Sequence, residues 1–112
     1  MQTNTGRDAR VDALTTAITH IALGDDTTAP TGADAALGNE LNREAVSTVV
    51  TGATGVATVR ARFGVLVADT FLETGAFANA GADLHDRVVH AAVVKPAGVE
   101  LVVDIRYEVR NP

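Results

Sequence analysis

At 112 residues the chain has the size of one domain and can bury a single core without staples. It contains no cysteine, which excludes disulfides, thiolate metal sites and a cysteine nucleophile. Its net charge of −5, with Lys95 the one lysine beside eight arginines and nine aspartates, provides no basic cluster for nucleic acid or an anionic membrane surface.

Ala, Val, Thr and Asp dominate the composition, the usage of a GC-rich genome and one that leans toward a halophilic host. The longest apolar runs are a few residues, far short of the roughly 20 that span a bilayer. The first residues, Met1 to Arg7, lack the apolar core of a signal peptide, so the protein is expected to be made in the cytosol. Aromatics are scarce (Phe63, Phe71, Phe77 and Tyr107), which leaves packing to Val, Leu, Ile and Ala, residues that favour strands when β-branched.

Residues 1–17 read as an N-terminal arm, with Val11, Leu14 and Ala17 spaced as one face of a short helix over 8–17. Residues 18–23, ITHIAL, read as a strand that ends at Gly24-Asp25-Asp26. A loop containing Pro30 and Gly32 follows. The spacing then predicts a short helix over 33–42, with Asp34 near its start and Leu37 and Leu41 at i,i+4 toward the core. Residues 44–51 and 56–66 read as two strands of a hairpin turning at Gly52 to Gly55. In the second, Val59, Ala61, Phe63 and Val65 share one face, and Thr58, Arg60 and Arg62 the other.

Residues 70–78 read as a less regular strand interrupted by Gly75, and 79–83 as a loop. Residues 87–94 read as a strand stopped by Lys95-Pro96-Ala97-Gly98. The last element has the clearest pattern: Val99, Leu101, Val103, Ile105, Tyr107 and Val109 alternate with mostly charged residues, the signature of a strand with one buried face. Short strands separated by turn signals predict a mainly β chain. The expected fold is an antiparallel β-sandwich over 18–112 with one or two short helices in its N-terminal part.

The order of these pieces resembles the tail-collar and tail-fibre group of small tailed-virus proteins. The opening strand, I-x-x-I-A-L-G, is matched by Ile18, Ile21, Ala22, Leu23 and Gly24. A loop with Thr27, Thr28 and Pro30 precedes D-x-x-L-x-N-E-x-x-R, matched by Asp34, Leu37, Asn39, Glu40 and Arg43. A strand of the form E-x-G-L-F is matched by Glu73, Gly75 and Phe77, with Ala76 in place of the larger apolar residue. The closing strand follows a lysine turn at Lys95. The resemblance spans residues 18–109. It implies a small β-sandwich that works by packing against copies of itself, as a trimer or other cyclic ring, and against other virion proteins. No cofactor is expected, the charge balance argues against nucleic acid and membrane, and a host-surface glycan or receptor could be a further partner. Longer members continue into a shaft, so this chain is similar to the stand-alone domain.

Candidate chemistry is thin beside that. Asp83, His85 and Asp86 could ligate a divalent ion, although a solvated turn before a strand explains them as well. Asp25 and Asp26 could hold a hard cation, but the EF-hand pattern is absent and a turn accounts for them. His20 and His90 sit within strands with no catalytic spacing around them, and Ser47 is the single serine, which argues against a serine hydrolase. Glu40 and Arg43 form an i,i+3 pair, expected either as a surface contact of under about 1 kcal/mol or with Arg43 reaching Glu73 or Glu44. Gly24, Gly75 and Gly81 are expected at turns or bulges. A tail, baseplate or fibre-attachment component is the reading favoured. The alternatives are a capsid or neck decoration and, more distantly, a carbohydrate-binding module or a small enzyme.

Overall fold

The computed structural model describes residues 17–51 and 54–109. The expected helix over 8–17 therefore lies almost wholly outside the described residues. Seven strands follow in chain order: β1 (Ile18–Gly24), β2 (Glu40–Ala45), β3 (Thr48–Thr51), β4 (Val56–Phe63), β5 (Asp69–Ala78), β6 (Asp83–Lys95) and β7 (Leu101–Glu108). They form two antiparallel sheets, ordered β2-β1-β5-β6 and β3-β4-β7.

Alternation decides what each face does. On β4, Ala57, Val59, Ala61 and Phe63 are buried, while Thr58, Arg60 and Arg62 point away from the core. On β7 the less exposed residues are Leu101, Val103, Ile105 and Tyr107, as the alternation predicts. Ile21, Leu23, Phe71, Ala61 and Phe63 make the main core between the sheets, closed by Val103 and Ile105. Ile18, Val59 and Ala76 extend it beneath Tyr107. Burying each large side chain here is worth about 1.5–3 kcal/mol, which lets a chain this short fold with few aromatics.

The 33–42 helix does not form. Residues 25–39 run as an irregular loop, and Glu40 begins a strand. Leu37 is buried as expected, but against the outer face of the four-stranded sheet, beside Ala22 and Phe77. A helix would need the N–H groups of Gly38 and Asn39 for its own ladder, and here both donate to the Glu73 carboxylate. The second hairpin strand ends at Phe63, so Val65 and Leu66 fall in an exposed turn and not on the core face. Gly75 does not interrupt β5. The register shifts there fall between Phe71 and Glu73 and between Ala76 and Phe77. The first shift sends Phe71 to the inter-sheet core and Glu73 to the opposite face, although two residues apart should share a face.

Candidate functional site

Gly24, Leu37, Asn39, Glu40, Arg43, Glu73, Gly75 and Phe77, among the residues quoted for the resemblance, meet at the outer face of the four-stranded sheet, whereas Ile18, Ile21 and Leu23 point into the inter-sheet core. Gly24 on β1 lies opposite Glu73 on β5, and Ala22 lies opposite Gly75. The 25–39 loop folds back over this patch. A Cβ on Gly24 would stand 2.3 Å from the Asn39 carbonyl oxygen and 2.6 Å from Glu73 Oε2. A Cβ on Gly75 would stand 2.6 Å from Leu37 Cδ2. Both glycines are therefore required by close approach and not by backbone conformation.

Glu73 is the centre. Its residue is 0% exposed, and its carboxylate accepts backbone N–H groups from Asp26 at 2.8 Å, Gly38 at 2.8 Å and Asn39 at 2.9 Å. Arg87 on β6 adds a charge-assisted bond from Nε at 2.9 Å. Burial alone would favour the neutral acid. The three N–H groups and the guanidinium outweigh it and hold the Glu73 carboxyl below its usual range. Arg87 is buried in turn and reaches the loop by two further routes, Nη1 to the Thr28 carbonyl at 2.9 Å and to Asp34 at 3.2 Å. Its Nη2 has no hydrogen-bond partner and faces Asp26 at 3.6 Å. Asp34 and Asp26 are lowered chiefly by the Thr31 and Thr28 backbone N–H groups, with help from Arg87. A buried ion pair, fully hydrogen-bonded on the acid side, thus pins a loop of small polar residues onto a sheet.

Arg43 reaches neither Glu73 nor Glu44. It makes the expected pair with Glu40, at 2.8 and 3.0 Å, but on a strand. Opposite β2, Leu23 pairs with Asn42 and Gly24 with Glu40, so Leu41 is the extra residue of a bulge. That bulge brings positions three apart to one side. Arg43 also lies over the Phe77 ring, 3.9 Å from its centroid, and donates to the Gly81 carbonyl in the turn before β6. Asn39 donates to Asp25 at 2.6 Å, which closes the loop mouth. Gly24, Leu37, Asn39, Glu40, Arg43, Glu73, Gly75 and Phe77 are thereby joined in one contact network. Arg87 is a member that the sequence reading did not single out, and Asp26 was read there only as a turn residue and a cation candidate. The available signal was an arginine leading the apolar run RVVHAAVV, since a cation on a strand face that becomes buried needs a carboxylate.

Asp83, His85 and Asp86 lie on β6 and not in a loop. They do not converge. Asp83 accepts from Asn79 at 3.3 Å, Asp86 accepts the Tyr107 hydroxyl at 2.7 Å, and His85 stands 3.9 Å from Asp86. Among the described residues no group of three or more His, Asp or Glu side chains is placed to hold a metal ion. Asp25 and Asp26 are turned to Asn39 and Thr28 respectively. His20 contacts Thr19 at 2.9 Å. His90 Nδ1 donates to the Ala91 carbonyl at 2.8 Å, and its Nε2 is hydrogen-bonded to the Thr74 hydroxyl at 2.8 Å.

Thr74 and His90 also mark a second feature. The sandwich is open along one side, between β6 and β7, the terminal strands of their sheets. Two adjoining hollows of about 480 and 390 Å³ share Thr74, His90, Val103 and Asp104 in their walls. The charges along β7 are satisfied within the chain: Arg60 to Asp104 at 2.7 Å, Arg62 to Glu100 at 2.8 Å and Arg106 to Glu108 at 2.9 Å. Arg60–Asp104 and Arg62–Glu100 are cross-strand pairs, and Arg106–Glu108 lies along β7 itself. Compared with known proteins, the chain matches no protein-family model and no curated protein sequence.

Proposed function

We propose that this protein is a virion structural component of a tailed virus, in the tail, baseplate or fibre-attachment region. It works by oligomeric assembly and by docking to other virion proteins, and it carries out no catalysis. The observation that carries this reading is the convergence on Glu73. Residues matched to the tail-collar pattern from two separated stretches, 24–43 and 73–77, meet in a network whose chemistry fixes a loop in shape. Such a device supplies a rigid surface for neighbours. Its buried acid is held ionised and fully bonded, the opposite of what a general acid or base requires.

A capsid or neck decoration would use the same surfaces at another place in the particle, with fivefold copy number at a vertex. A glycan-binding module fits less well: Phe63, Phe71 and Phe77 are buried, and Tyr107 is half-buried with its hydroxyl on Asp86, so none offers an exposed platform for a sugar. Purified virus particles from an infected or induced culture test the reading. The chain should be found in them in fixed stoichiometry, and the isolated protein should scatter light as a closed oligomer. A strict monomer that is missing from the particles overturns it.

A further inference from the structure

The two sheets are staggered. β4 lies over β1 and β2, and the inter-sheet core is built from β1, β2, β4, β5 and β7. Neither β3 nor β6 contributes a residue to it. β3 therefore overhangs one flank, beyond β2. β6 overhangs the other, beyond β7, where the three-stranded sheet is one strand short and the β6–β7 hollows open. The inward residue of β3 is Val49, which pairs with buried Val59, and it remains 45% exposed. On β6 the inward residues include Val88, which pairs with Thr74 and is 55% exposed, and Val93, which pairs with Phe71 and is 39% exposed. Each flank presents what the other lacks: a strand without an opposing sheet, and a sheet without an opposing strand.

We infer that copies of this chain associate head to tail, with β3 of one copy added to the free edge of β7 in the next, so that Val49 covers Val88. This gives the assembly proposed above its interface and rests on that reading. Edge strands are normally guarded by charge, proline or cover. β3, Thr-Val-Val-Thr, carries no charge or proline, and the charges on β7 are already paired with Arg60, Arg62 and Arg106 of the same chain. Nothing ionic opposes the contact. β7 is eight residues long, about 26 Å at ~3.3 Å per residue, and a sandwich with its outer side chains is about 20 Å thick. β3 is half that length, so one contact spans roughly 13 Å and covers roughly 260 Å² on each copy, below the ~800 Å² per partner of a standard interface, and the main-chain hydrogen bonds of the added strand supply what area does not. Pairing β7 with itself across a two-fold would drive the two β6 overhangs into one another. The heterologous arrangement avoids this, and it closes into a ring when its rotation permits.

The absence of cysteine makes the test clean. Val49→Cys and Val88→Cys chains, alone and mixed, are treated with a short bismaleimide while light scattering reports the mass of the untreated protein. Covalent dimers are expected in the mixture and not in either variant alone. Val49→Lys should lose the oligomer and keep the β-sheet circular dichroism and melting temperature of the parent. A cross-link in one variant alone, or an oligomeric Val49→Lys, overturns this interface. So does an oligomer whose mixture gives no cross-link, which leaves the assembly reading standing. A monomer at every concentration removes both.

Discussion

Glu73 shows why one side chain can matter more than a patch. Removing it would leave three buried N–H groups and the Arg87 guanidinium unpaired, so Glu73→Ala is expected to cost about 3–5 kcal/mol, read from urea unfolding. Its pH signature follows from the direction of the shift. The folded pKa is depressed, so the stabilisation is complete above the ordinary carboxylate range near pH 4 and is lost as pH falls through the folded value. Asp26 and Asp34 shift the same way and add to the effect. The melting temperature of the wild type should therefore drop below about pH 4. Glu73→Gln, already less stable at pH 7, should show a shallower drop, and parallel curves would contradict the role given to this carboxylate. None of this network was legible residue by residue. Leu37, Asn39, Glu40, Arg43 and Glu73 stood out through the resemblance, yet their common target did not, because contacts between positions 34 or more apart leave no local pattern.

At the scale of elements, periodicity was readable where one face is buried and the other wet. β4 and β7 carry that contrast and lie where the alternation put them. The 33–42 stretch misled because Leu37 and Leu41 stand at helical spacing and Glu40 and Arg43 at i,i+3, while the true cause of that pairing is a bulge at Leu41. Local spacing cannot report that Gly38 and Asn39 give their N–H groups to a residue on another strand. β6 was read short at its start because Asp83, His85 and Asp86 are poor strand formers. They are held extended by pairing with β5 from Ala78 to Ala76. The alternation on β7 has a direct check. Ile105 touches both inter-sheet clusters, so Ile105→Asp should abolish folding, whereas Arg106→Ala, which removes an exposed bridge to Glu108, should leave the melting temperature within a few degrees. Similar tolerance of both changes, measured by circular dichroism, would contradict the face assignment.

For the whole molecule, the strand order interlaces the chain: the first sheet takes β1, β2, β5 and β6, and the second takes β3, β4 and β7. Neither sheet is a continuous piece of sequence. β1 waits for β5, about sixty residues on, and β4 waits for β7. Such non-local pairing predicts folding in milliseconds to seconds, and not microseconds, by stopped-flow fluorescence or circular dichroism. A microsecond phase carrying the full signal change would be inconsistent with this topology.

That interlacing has a consequence during synthesis. Leu101, Val103 and Ile105 arrive last, and the hydrophobic interior cannot shut until they have left the ribosome exit tunnel. β3 is made early, yet the edge of β7 exists only once all six earlier described strands have been made. Under the head-to-tail contact inferred above, nascent neighbours on one messenger are kept from joining until β7 is made, and stalled chains that end before Leu101 should stay open to protease whereas chains that extend past Glu108 resist it.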